Sequence, residues 1–237
     1  MDTTSEIVVV TGFAPFRQYI VNLSWEAAKG LKVAGLGLGI DVQVMEIPVS
    51  YAKSQEVIDD IWQTMTPKVV IHLGIAPGAK GITLEQTGKN YCYKDRDVSG
   101  LCPVHHCCIE GGPERLDSII DMRSLSKHLQ KNMGLDVIFS RDAGRKDSMP
   151  IETRRIFRKQ RYAHRHLGTV NVSSPWSSDS SLTGQGKAVL IHVPSSGSLA
   201  STERLVPQLQ TIIHALLHQL ASSAHTTSEY VDSTHPP

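Results

Sequence analysis

Apolar residues recur along this chain in two patterns, and each predicts a different element. Short runs rich in Val, Ile and Leu occur at Ile7–Thr11, Val69–Leu73, Asp136–Ser140 and Lys187–Val193, and Val42–Ile47, interrupted by Gln43 and Glu46, is a further strand candidate. Such runs suit strands covered on both faces, because a strand with one wet face alternates apolar and polar residues instead. Between them the period lengthens to that of a helix. Val57, Ile58, Ile61, Trp62 and Met65 make one stripe after Ser54, which predicts a helix capped by Ser54 and closed by Pro67. Ser24–Lys32 reads as a helix behind the polar Asn22, and Ser124–Met133 as another. The clearest stripe is the last, from Leu205 through Leu209, Ile212, Ile213, Leu216 and Leu217 to Leu220, capped by Ser201 or Thr202. Beyond Ser222 the tail is polar and is expected to fray. Strand, helix, strand, helix, strand is the order of an α/β layered sheet with parallel pairing.

Two stretches break the pattern. From Thr87 to Pro113 periodicity vanishes and Gly, Pro, Cys and His dominate, which predicts a long loop region. From Lys146 onward Arg154, Arg155, Arg158, Lys159, Arg161 and Arg165 crowd together, followed by Ser173, Ser174, Ser177, Ser178, Ser180 and Ser181. Neither half has a core-forming period, so residues 146–186 are expected to be a disordered insertion. Residues 1–145 and 187–222 are then one domain, and 223–237 a polar tail. Phe157 and Tyr162 interleave the basic run, but without a fold to present them a solvated insertion is a better reading than a nucleic-acid site.

Composition narrows the function classes. The 237 residues suffice for one large domain, and 40% hydrophobic against 20% charged is a globular balance. A net charge of +1 supplies no field to draw the chain to nucleic acid or anionic lipid. No run approaches the roughly 18 apolar residues of a membrane span. The polar start, Met-Asp-Thr-Thr-Ser-Glu, is not that of an export signal. The expected location is therefore the cytosol, with the four cysteines as reduced thiols.

Three positions stand at or just beyond predicted strands: the loop Thr11-Gly-Phe-Ala-Pro-Phe16, the loop leading to Glu85, and His192. Ligands of open α/β sheets bind at the carboxyl ends of strands, so the three could share a cleft. By spacing alone His192 equally suits a core histidine, and Glu85 an ordinary surface acid.

The same words form a larger set. Thr11–Phe16, Val21-Asn-Leu-Ser-Trp25, Glu46-Ile-Pro-Val49, Ile82-Thr-Leu-Glu85, Asp117–Met122, Asp142-Ala-Gly-Arg145 and Ile191-His-Val-Pro194 together resemble pyroglutamyl peptidase I, its vertebrate members most closely. The resemblance runs from about Ile7 to Arg145 and resumes from Lys187 to Leu220. It implies a single-domain three-layer α/β/α architecture with a mixed, mostly parallel sheet. It also implies a cytosolic cysteine peptidase that removes an N-terminal pyroglutamate from peptides, without cofactor or metal. Glu85 falls at the family's acid and His192 at its base, while Phe13 and Phe16 fall where apolar residues hold the pyroglutamyl ring. That arrangement is chemically coherent: an imidazole oriented by an acid converts a thiol to the thiolate nucleophile. The chain departs from the family at the nucleophile, because Ser148 holds the cysteine's place and the stretch from it to His192 is longer than the family's. A hydroxyl is far less acidic than a thiol. Two functions thus follow from the resemblance, a pyroglutamyl hydrolase and a non-catalytic relative that binds peptides or partners.

Cys92, Cys102, His105, His106, Cys107 and Cys108 offer enough soft ligands for zinc. No Cys-x-x-Cys pair is present, however, and the adjacent Cys107 and Cys108 do not easily reach one metal, so reduced structural thiols are the expected reading.

Overall fold

The computed structural model describes residues 5–16, 19–76, 78–90, 93, 96–107, 110–141, 143 and 187–229, with Leu116 and 223–229 described by backbone alone. In chain order the elements are β1 (Glu6–Phe13), α1 (Leu23–Ala34), β2 (Ile40–Ile47), α2 (Tyr51–Asp60), β3 (Val69–Ala76), β4 (Ile82–Glu85), β5 (Thr87–Lys89), β6 (Arg115–Asp117), α3 (Met122–Met133), β7 (Val137–Ser140), β8 (Ala188–Pro194) and α4 (Thr202–Glu229). All five strand candidates are strands of one six-stranded sheet, in the order β2-β1-β3-β8-β4-β7. β2, β1, β3 and β8 pair in parallel, β4 joins β8 antiparallel, and β7 lies parallel to β4. The sheet is mixed and mostly parallel, as expected.

Alternate residues of these strands face opposite ways, and the packing follows. Val8 and Val10, Val69, Ile71 and Leu73, and Val189, Ile191 and Val193 share one core with α1, α3 and α4. Gly30 lets α1 lie close to α4, since a Cβ there would stand 2.6 Å from Val206 Cγ2. Val9 and Val70 point the other way, onto Ile61, Val57 and Trp62 at the end of α2. Helices therefore cover both faces.

Four details differ from the pattern-based expectations. Ile82–Glu85 is a strand rather than a loop, because Ile82 and Leu84 enter the large core while Thr83 and Glu85 face the other side. Four residues are too few for a periodicity to stand out. At the start of the region without periodicity, β5 pairs antiparallel with β6, which lies just beyond the region's end, as a separate ribbon. α2 begins at Tyr51, and Ser54 is not its cap but lies buried within it, its hydroxyl donating to the Pro48 carbonyl at 2.8 Å. The Tyr51 amide donates instead to Asp97 Oδ2 at 3.0 Å, from a loop distant in sequence. Finally, α4 continues as helical backbone past Ser222 to Glu229.

Candidate active site

The approach to the site is set by the end of β1. Ser24 Oγ accepts the Phe13 amide at 3.0 Å and donates to Asn22 Oδ1 at 2.8 Å. Asn22 also caps α1, its Oδ1 accepting the Ser24 amide, while its Nδ2 donates to the Ala14 carbonyl at 3.2 Å. Loop and helix start are thereby locked together. Only glycine fits at position 12, where a Cβ would lie 2.5 Å from the backbone of Trp25. Phe13 and Phe16 are buried with Ile47, Val49 and Ile58, on the face of the sheet that α2 covers.

Glu85 and His192 meet on this same face. Strand pairing sets Thr83 opposite His192 and Glu85 opposite Leu190, so the carboxylate reaches the imidazole diagonally across the antiparallel pair. Glu85 Oε1 lies 2.8 Å from His192 Nδ1, and both side chains are about 5% exposed. An ionised carboxylate only accepts, so Nδ1 carries the hydrogen and Nε2 is the basic nitrogen. That is the orientation in which a carboxylate helps an imidazole take a proton from a nucleophile. His192 stands toward the carboxyl end of β8, but Glu85 does not share that edge: β4 runs the other way, and Glu85 is reached through its register with β8.

Several residues that shape this face carry no motif of their own. His72 on β3 is fully buried, and its Nδ1 lies 2.8 Å from Thr11 Oγ1. Burial pushes its pKa down from 6.5 to about 3, so the ring is neutral at physiological pH. Register places Thr11, His72, Leu190, Glu85 and Ser140 in one row across five strands. Gly74 stands opposite His192 on the neighbouring strand. Gln86 clamps the end of β4: its Nε2 donates to the carbonyls of Ser118 and Ile120, its Oε1 accepts the Met122 amide, and its own amide donates to Ser140. The signal for His72 was present, a histidine inside an apolar run like that of His192. Gln86 and Thr83 gave none beyond their place beside Glu85.

Of the expected site residues, Glu85 and His192 are brought together and Phe13 and Phe16 lie on their face of the sheet. Ser148 lies outside the described residues, as do 146–186 as a whole, Cys92 and Cys108. Cys102 is exposed and Cys107 buried, both as free thiols. Among the described residues no three His, Cys, Asp or Glu side chains converge as metal ligands. Among them too, no helix is long and apolar enough to cross a membrane.

The family model described as pyroglutamyl peptidase matches residues 6–146. This chain belongs to the pyroglutamyl peptidase family. It is 36% identical over 219 residues to pyroglutamyl-peptidase 1 of Rattus norvegicus, covering 92% of each chain. To the Homo sapiens protein of that name it is 35% identical over 225 residues, covering 94% of this chain and 95% of the relative. The fold is that of the pyroglutamyl peptidase I structure from Bacillus amyloliquefaciens, with a TM-score of 0.69 at 23% identity over 91% of this chain and 95% of that one.

Proposed function

We propose that this chain is a cytosolic, peptide-recognising pyroglutamyl peptidase relative that holds N-terminal pyroglutamyl residues and lacks the thiol step of their hydrolysis. The observation that carries the reading is the buried Glu85–His192 pair at 2.8 Å, on the sheet face that also holds Phe13. An acid and base arranged in this way belong to acyl transfer, which the names of its relatives support. The apolar walls at Phe13 and Phe16 suit a flat, neutral lactam. Ser148 stands in the sequence where the family has its cysteine, and a hydroxyl is far less acidic than a thiol. Ring recognition and bond cleavage use different residues, so the first survives the loss of the second. The free thiols Cys102 and Cys107 agree with a reducing compartment.

Calorimetric titration with a pyroglutamyl peptide and its uncapped twin tests the recognition. Binding of the capped peptide alone is expected, and Phe16→Ala should abolish the preference by removing one wall. Equal binding of the two peptides, or none, overturns it. Turnover of a fluorogenic pyroglutamyl amide that a thiol-alkylating reagent abolishes would show that a cysteine elsewhere serves as nucleophile.

A further inference from the structure

The Glu85–His192 contact uses one carboxylate oxygen. The other, Glu85 Oε2, is buried and has no hydrogen-bond partner among the described residues, and the same is true of Thr83 Oγ1. The two atoms belong to residues two apart on β4, whose side chains point to the same face. Thr83 is also the residue directly opposite His192. A buried carboxylate oxygen and a buried hydroxyl left unpaired are each costly, so two of them side by side at the working pair call for a shared partner.

Side chains two apart on a strand are separated by about 6.6 Å along the backbone, farther than one hydrogen bond spans. Two hydrogen bonds of about 2.8 Å through one oxygen cover most of that distance. A water accepts from or donates to a hydroxyl and donates to a carboxylate, so its hydrogens suit both ends. We propose that Thr83 is a positioning residue for the Glu85–His192 pair: with Glu85 Oε2 it holds one bridging water that keeps the carboxylate turned toward Nδ1. The water fixes the second oxygen, and the carboxylate's rotation fixes the imidazole. His72, across Leu190 in the same row, is another titratable group on this face, and its Nδ1 lies 2.8 Å from Thr11 Oγ1.

The inference rests on Glu85 and His192 being the working acid–base pair, and its test reads that pair without substrate. In the full chain, the exchange of the His192 Nδ1–H with water is followed by NMR. Thr83→Val keeps the shape and removes the hydroxyl, and should speed this exchange roughly tenfold, as expected for one lost hydrogen bond. Thr83→Ser keeps the hydroxyl and should exchange like the parent protein. Unchanged exchange in Thr83→Val overturns the proposal, and so does Thr83→Ser exchanging as fast as Thr83→Val, which would mean that only the methyl matters. If Thr83→Val does not fold, a high-resolution crystal structure of the unaltered chain decides. One water within hydrogen-bond distance of Thr83 Oγ1 and Glu85 Oε2 supports the proposal; ordered density without it overturns it. Failure of the peptide titration leaves this result untouched, so the two ideas fail separately.

Discussion

The two faces of the central sheet are built from the same strands and do different work. On the face beneath α1, α3 and α4, inward residues such as Val8, Ile71, Ile191 and Leu84 are aliphatic and buried. On the face toward α2, neighbouring positions of those strands supply Thr11, His72, His192, Thr83 and Glu85, all buried as well. Burial of polar groups requires partners, whereas burial of aliphatic groups is favourable by itself. One face therefore supplies stability that tolerates similar volumes, and the other holds paired polar groups, Thr11 with His72 and Glu85 with His192, in which each partner depends on the other.

Substitutions on the two faces should therefore differ in what they cost. On the apolar face, Ile71→Ala and Leu209→Ala should each lower the unfolding free energy by about 2–5 kcal/mol, read from urea midpoints, through lost burial and the cavity left behind. Losses below about 1 kcal/mol would mean that this face is not the chief source of stability. On the polar face, Glu85→Ala should cost about 3 kcal/mol by stranding a buried imidazole, and Glu85→Gln less, since an amide oxygen still accepts from Nδ1. Equal costs for the two variants would reduce Glu85 to a packing residue.

The third outcome concerns pH. His72 has a folded pKa near 3 against an ordinary 6.5, so above pH 6.5 it adds no pH dependence. As pH falls below that value the unfolded chain takes up a proton that the fold refuses. Stability should then decline by about 1.4 kcal/mol per pH unit from this group alone. His72→Gln should flatten that part of the curve, seen as the difference between variant and parent between about pH 6 and 4.5. Identical slopes would mean that the ring is hydrated in solution. The smallest effect is expected at Asp97, whose carboxylate accepts the amides of Tyr51, Ser99 and Leu101. Asp97→Ala should cost about 1 kcal/mol and raise hydrogen exchange at those three amides, because one carboxylate joins the start of α2 to the loop. If only Ser99 and Leu101 respond, the loop and the helix are independent.

Much of the scaffold was legible in the chain itself. The five strand candidates became strands, and the stripes around Ile58 and Leu209 became helices, because periodicity is local and survives whatever the neighbours do. The identities of Glu85 and His192 as a pair came from their resemblance to a family and not from spacing, since 107 residues separate them. Tertiary structure decided the rest. Ile82–Glu85 is a strand because β8 is there to pair with it, and its antiparallel direction, not its position in sequence, carries Glu85 to His192. The cap of α2 comes from Asp97, and the clamp beside Glu85 spans from Gln86 to Ser118, Ile120 and Met122. Polar partners of this kind are chosen by register and three-dimensional proximity, which the order of residues does not encode pairwise, whereas the apolar runs around them are written directly in the chain.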